Sequence, residues 1–270
     1  MSELPASDNT VTKVWHDLLT KGDIEHTRLM RRLYKLLPRE PRCAHCNRPF
    51  KGFGGFLVRH VAGIQPSKLN PRYCNDCEVF AKKHPGGAEV QLAMVFADVR
   101  GSTGLAERLG TREFTHLIDR FYQTTSEVMI RADALIEKLI GDEVTALFVP
   151  GYAGADYTRR AIEAAQEVLR LTGHADPQGP WAPVGIGVHQ GRAFVGAIGA
   201  KQDIIEITAL GDAVNIGARL GQSASPGEIL ISADACGAAP RVCETLERRD
   251  LAIKGHSQTL NVGVMRITPP

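Results

Sequence analysis

The stretch MVFADVRGST, residues 94–103, closes an apolar strand with a carboxylate. Leu92 to Ala97 form an unbroken apolar run, the pattern of a strand buried on both faces. The run ends on Asp98 and breaks into a turn of Gly101, Ser102 and Thr103. Asp has an ordinary use in such a place, because its side chain hydrogen-bonds nearby backbone in turns. One Asp therefore reads as turn chemistry unless a second group joins it. Asp142 is that second group. It sits in the turn of DALIEKLIGDEVTALFVP, residues 133–150, which reads as two apolar strands about Gly141–Asp142. Two carboxylates at the ends of adjacent strands can share a pair of divalent cations, an arrangement suited to in-line displacement at phosphorus. The small residues after Asp98 leave room for backbone N–H groups to face a phosphate.

Outward from that stretch the chain alternates strands and helices. VQLAMVFADV is a strand, and a long helix pattern runs from Thr111 to Ala132. A second helix covers Ala155 to Leu171, followed by two strands, PVGIGVHQG and RAFVGAIG. A third helix spans Asp212 to Gln222 and precedes the strand EILIS. This order predicts an α+β sandwich of the ferredoxin-like type, a mixed sheet with helices on one face. In the third helix Asn215 and Arg219 are four residues apart and so share a face. An amide that holds a sugar and a guanidinium that neutralises a phosphate would suit this spacing, though an ordinary polar face has it too.

Upstream the composition changes. Residues 43–86 hold two C-x-x-C motifs, Cys43/Cys46 and Cys74/Cys77, among many Gly, Pro and basic residues. With so little continuous apolar pattern, a bound metal has to hold this segment together. Two tight turns, each giving two thiolates, complete a tetrahedral Cys₄ shell for a structural Zn²⁺; an iron–sulfur cluster is the alternative. The second pair runs into a helical stretch, EVFAKKH, as in treble-clef or zinc-ribbon modules. His45, His60 and His84 lie nearby and are not needed as ligands. Cys236 and Cys243, far downstream, read as packing residues.

Residues 1–42 look helical and partly basic. From Ile24 to Leu37 the apolar positions Leu29, Met30, Leu33, Tyr34 and Leu37 recur at helical spacing, with Arg28, Arg31, Arg32 and Lys35 opposite. This is a packing helix with a solvated face or, alternatively, a helix for peripheral contact with a membrane surface. The expected domains are thus residues 1–42, 43–86 and 87–270. A net charge of +2 in 270 residues argues against a nucleic-acid partner, which calls for a concentrated basic footprint. No apolar stretch is long enough to span a bilayer, and the polar N-terminus lacks the plan of a signal peptide. A cytoplasmic location is the expectation, which favours metal over disulfides at the C-x-x-C pairs.

Five blocks in order, FADVRGST, KLIGDEVTALF, VGIGVHQGRAFVGAIGA, TALGDAVNIGARL and LAIKGHSQTLNV, resemble the catalytic domain of class III nucleotide cyclases over about residues 90–267. The resemblance implies a homodimer with its active sites at the interface. It implies two Mg²⁺ or Mn²⁺ per site on Asp98 and Asp142, and a mechanism in which ATP yields 3′,5′-cyclic AMP and pyrophosphate. Lys138 and Thr208 fall where the family reads the base, Thr208 as in the class IIIb subgroup. Asn215 matches the ribose-orienting asparagine and Arg219 the arginine that stabilises the transition state. Lys201 and Lys254 resemble phosphate contacts, and Gly101, Ser102 and Thr103 lie in the phosphate-facing turn. The family also implies that Asp98 and Asp142 come from one chain, while Lys138, Thr208, Asn215 and Arg219 come from the other. Ser102 departs from the Phe many members carry. Cyclases of GTP or of pyrimidine nucleotides share the pattern, and so would a catalytically silent nucleotide sensor.

Overall fold

The computed structural model describes residues 7–22, 31, 33–34, 42–67, 73–200, 204–252 and 259–267. In chain order its helices and strands begin with α1 (Ser7–Lys21), α2 (Gly52–Ala62), α3 (Asn75–Lys83) and β1 (Gly86–Val99). Next come α4 (Ser102–Leu109), α5 (Thr111–Arg131), β2 (Leu135–Ile140), β3 (Glu143–Phe148), α6 (Pro150–Ala153) and α7 (Tyr157–Leu171). Then follow β4 (Val184–Ala200), β5 (Ile204–Leu210), α8 (Asp212–Ser223), β6 (Glu228–Ser232) and α9 (Ala233–Ala238). The last are α10 (Pro240–Cys243), β7 (Glu247–Ala252) and β8 (Thr259–Arg266). The chain divides into two compact units, residues 1–90 with 149–154 and 193–210, and residues 91–148 with 155–192 and 211–270.

The second unit is built on strands in the order β2-β3-β1-β4-β6-β8-β7. β4 and β6 run parallel, while β2–β3, β1–β3, β6–β8 and β7–β8 are antiparallel, so the sheet is mixed and the α+β expectation holds. Every residue from Leu92 to Ala97 is at most 2% exposed, which is why this strand reads as an unbroken apolar run. α5 buries Phe121, Val128 and Met129, and α7 buries Ile162, Val168 and Leu169, the 3.6-residue stripe of core-facing helices. Leu220, Ala224, Leu230, Val262 and Val264 close a further cluster beneath α8.

α8 lies unusually close to β1. A Cβ on Gly217 would stand 2.4 Å from Phe96 Cε2, and one on Gly221 2.8 Å from Phe96 Cβ. Two glycines one helical turn apart thus let the helix backbone rest on the Phe96 side chain, two residues before Asp98.

In the first unit Trp15 of α1 is fully buried; its Nε1 donates to the His84 carbonyl at 2.9 Å and its ring meets Phe80 edge-on at 5.4 Å. β5 pairs with the second half of β4, Ile207 opposite Ala197 and Thr208 opposite Gly196.

Four readings are corrected. The two strands expected over residues 183–199 are one strand, β4, because Gly191 continues the extended chain instead of turning it. Ser102 and Thr103, read as part of the turn after Asp98, instead begin α4, because Gly101 in the left-handed conformation ends the turn one residue earlier. Most of the helix expected over residues 24–37 lies outside the described residues. Where it is described, Tyr34 is buried as expected, but Arg31 is 1% exposed and Leu33 is 47% exposed, against the expected faces. The guanidinium of Arg31 stacks 4.2 Å from the Tyr152 ring, a cation–π contact that the local sequence cannot foretell. Finally, Cys236 and Cys243 are bonded as a disulfide, their Cα atoms 5.4 Å apart across α9 and α10, within disulfide reach.

Candidate active site and metal centre

β1 delivers Asp98 beside the β2–β3 turn. In the antiparallel register Asp98 faces Glu143, and the Val99 N–H donates to the Asp142 carbonyl at 3.0 Å. The hairpin is thereby fixed to the end of the core strand, which places Asp98 and Asp142 at neighbouring backbone positions. The turn itself is held from α5, where the Tyr122 hydroxyl donates to the Gly141 carbonyl at 2.8 Å. Asp98 is half-buried, and burial, with the neighbouring charges of Asp142 and Glu143, pushes its carboxyl up to about 6 despite Arg100. Burial likewise raises Glu143. Arg100 Nη1 donates to Asp98 Oδ1 at 2.5 Å, and the same nitrogen lies 3.4 Å from the Gly221 carbonyl of α8. Carboxylates offer oxygen donors, the kind that hard divalent cations such as Mg²⁺ or Mn²⁺ take.

Gly101, at φ 67°, supplies the left-handed residue that turns the chain into α4, whose first turn contains Ser102 and Thr103. The first N–H groups of a helix lack intrahelical acceptors and can face an anion.

Lys138 owes its placement to an irregularity. Ile136 pairs with Ala146 and Lys138 with Thr145, so Glu137 is the extra residue of a β-bulge. Glu137 is 3% exposed, while the Lys138 ammonium reaches out to 3.4 Å from the Glu137 carboxylate. The bulge re-aims Lys138, a positioning device with no mark in the residue pattern. Asn215 and Arg219 occupy one face of α8, Asn215 exposed and Arg219 partly so, opposite the buried Ala213, Gly217 and Leu220. The GARLG sequence at 217–221 was the available signal for the close packing beneath them. Thr208 lies in the first unit on β5 and is 7% exposed. Lys201 and Lys254 lie outside the described residues.

The second site is the Cys₄ cluster, whose four buried sulfurs all lie within 4.8 Å of one another. Backbone geometry forms the first knuckle: the Asn47 N–H donates to the Cys43 carbonyl, and the Cys43 N–H to the Arg48 carbonyl. Asn47 adopts the left-handed conformation, φ 61°, that closes the turn. The second pair straddles a helix start, with Cys74 as the N-cap of α3 and Cys77 in its first turn. The Cys46 and Cys74 sulfurs are 3.6 Å apart. A tetrahedron with metal–sulfur bonds of about 2.3 Å has edges of about 3.8 Å, so the spacing suits a metal ion. The surroundings suit thiolates as well. The Cys74 N–H donates to Cys43 Sγ at 3.3 Å, and Arg48 Nη1 lies 3.8 Å from Cys74 Sγ. Hydrogen bonds from the other three thiols hold Cys74 well below the usual thiol range. Behind the cluster, His45 Nε2 meets the Tyr152 hydroxyl at 3.3 Å, and burial lowers this imidazole to about 4.

Comparison with known proteins agrees with this geometry. Residues 88–264 match the adenylate and guanylate cyclase catalytic domain, and the chain belongs to that family. An uncharacterised Mycobacterium tuberculosis protein is 30% identical over 184 residues, 66% of this chain and 33% of the relative. An adenylate cyclase of Anabaena cylindrica is 29% identical over 136 residues, 48% of this chain and 26% of the relative. The chain thus spans about a third or less of these curated relatives' length. Among solved structures, the guanylyl cyclase Cya2 superposes with a TM-score of 0.60 at 23% identity, over 68% of this chain and 96% of that one. The adenylyl cyclase CyaB from P. aeruginosa does so with 0.55 at 27%, over 66% and 94%. No helix among the described residues is long and apolar enough to cross a membrane.

Proposed function

We propose that the protein is an adenylate cyclase, converting ATP to 3′,5′-cyclic AMP and pyrophosphate at the interface of a homodimer. The observation that carries this reading is the placing of Asp98 and Asp142 at adjoining backbone positions by the Val99–Asp142 hydrogen bond at the end of a buried strand. Asp98 and Asp142 would hold two divalent cations, which activate the ribose 3′-hydroxyl and offset charge on the triphosphate. The remaining work is positioning and electrostatics by side chains, as phosphoryl transfer requires. Lys138 donates to N1 of adenine, an acceptor where guanine presents a donor, and Thr208 contributes a hydroxyl to the same edge. Asn215 orients the ribose, and Arg219 donates to the phosphate oxygens where negative charge builds up. In the dimer the second chain supplies these four residues to the carboxylates of the first. Lys201 and Lys254 contact the phosphates. The substrate is a free nucleotide; the basic N-terminal residues leave a peripheral membrane contact open, and the protein acts in the cytoplasm. The Cys₄ cluster holds one structural Zn²⁺ and regulates the catalytic domain, residues 87–270, through the module at 43–86, preceded by the helical segment 1–42.

The family relation supports cyclase chemistry, and the Anabaena and P. aeruginosa relatives support adenine. The guanylyl cyclase neighbours make GTP the first competitor. Purified protein incubated with Mn²⁺ and ATP, GTP, CTP or UTP in turn, with products read by mass, tests the reading. Cyclic AMP in excess is the expected result. A cyclic pyrimidine or cyclic GMP would overturn the base assignment, and no product from any nucleotide would favour a silent sensor.

A further inference from the structure

Tyr73 stands directly before Cys74, and its side chain leaves the Cys₄ loop for the sheet. It is 4% exposed, too deep for its hydroxyl to be satisfied by solvent. That hydroxyl makes both available kinds of hydrogen bond to one residue of β5. It accepts from the Ile207 N–H at 3.2 Å and donates to the Ile207 carbonyl at 3.4 Å. β5 pairs only with β4 among the described residues, so Ile207 presents its N–H and carbonyl on the strand's outer edge. The next residue is Thr208.

The backbone of Tyr73 is equally constrained. Its carbonyl accepts from the Ser67 N–H at 2.8 Å, Cys74 bridges to Pro66, and the Cys74 N–H donates to Cys43 Sγ. The phenol is therefore a rigid strut whose foot is set by the Cys₄ turn and whose tip grips β5. A strand's side chains alternate faces, so a small rotation or slip of β5 at Ile207 would carry Thr208 off its bearing.

We infer that Tyr73 is a positioning residue for base selection, through which the Cys₄ loop holds the strand that carries Thr208. This deepens the proposed function and rests on its assignment of Thr208 to the base. Tyr73→Phe keeps the ring and removes only the hydroxyl, and Ile207 loses both partners at once.

The test uses the full, metal-loaded chain as wild type, Tyr73→Phe, Thr208→Ala and the double variant. Rates with ATP and with GTP, metal content, and amide hydrogen exchange at Ile207 and Thr208 are measured for each. Tyr73→Phe is expected to lower the ATP-to-GTP ratio of kcat/KM about tenfold, as loss of a buried hydrogen-bond pair does. Metal content should stay the same, and exchange at Ile207 should rise. In the Thr208→Ala background the hydroxyl loss should change the ratio no further, since both act through one contact. An unchanged ratio in Tyr73→Phe, or an equal fall in both backgrounds, overturns the inference. If wild type yields no cyclic product, or Thr208→Ala alone leaves the ratio intact, the reading of Thr208 has failed. Exchange at Ile207 then decides the strut by itself, and an unchanged rate overturns it.

Discussion

The two candidate metal sites are built on opposite plans. The Cys₄ cluster is closed: four buried sulfurs, one backbone knuckle and one helix start, and neighbouring side chains that face the sulfurs without displacing them. The Asp98–Asp142 site is open, its carboxylates at a strand end and a hairpin turn, with Arg100 supplying positive charge to Asp98. A closed shell leaves a metal nothing to do but hold the chain, whereas an open one leaves positions for substrate. The same contrast extends to what surrounds them. The cyclase sheet has a continuous apolar core, while the segment around the cysteines buries few large apolar side chains of its own.

Removing a ligand should therefore have opposite consequences at the two sites. Cys74→Ser is expected to abolish metal retention and to lower stability by on the order of 5 kcal/mol, read by metal analysis and thermal unfolding. Asp98→Asn should cut cyclase turnover by about a thousandfold or more while leaving the unfolding midpoint level or raised, because a half-buried carboxylate beside two others is lost. A fall in stability for Asp98→Asn comparable with that of Cys74→Ser would erase the distinction.

A subtler probe is Gly217→Ala. The new methyl would stand 2.4 Å from Phe96 Cε2, so α8 or Phe96 must move. The expected cost is about 1–3 kcal/mol in denaturant unfolding, less the helix preference of Ala, together with reduced turnover because Asn215 and Arg219 ride on the same helix.

The smallest effect concerns pH. His174 is held below its ordinary range by burial, and its Nε2 accepts from the Val184 N–H at 3.0 Å, which needs the neutral ring. The unfolded chain takes up this proton more readily, so the contribution is complete above about pH 6.5 and is lost as pH falls below it. Part of that contribution should disappear by pH 5, and His174→Gln should flatten the slope in part. The flattening is partial because burial lowers His189 and His45 in the same direction.

Much of this was legible beforehand. The unbroken run at Leu92–Ala97, the apolar stripes of α5 and α7 and the Gly141–Asp142 turn each record a local period, and local periods survive in sequence. Asp98 and Asp142 were visible because each interrupts such a pattern. The C-x-x-C pairs were visible because metal ligation demands close spacing. What escaped depends on partners distant in the chain. Arg31 is buried because Tyr152 lies beneath it, 121 positions away. The Glu137 bulge exists only against β3, and the disulfide only where α9 and α10 bring two cysteines together. Tyr73 carries no local signal at all, because its partner Ile207 is 134 positions away.

The grip of Tyr73 on β5 also bears on how the chain behaves in a crowded solution. A strand edge with a free N–H and carbonyl is a template on which another molecule's strand can add, and repeated addition builds fibres. By filling the Ile207 pair from within, the phenol denies that foothold to a neighbour. The hydroxyl that steadies the strand thus also occupies the very edge groups that strand addition would need.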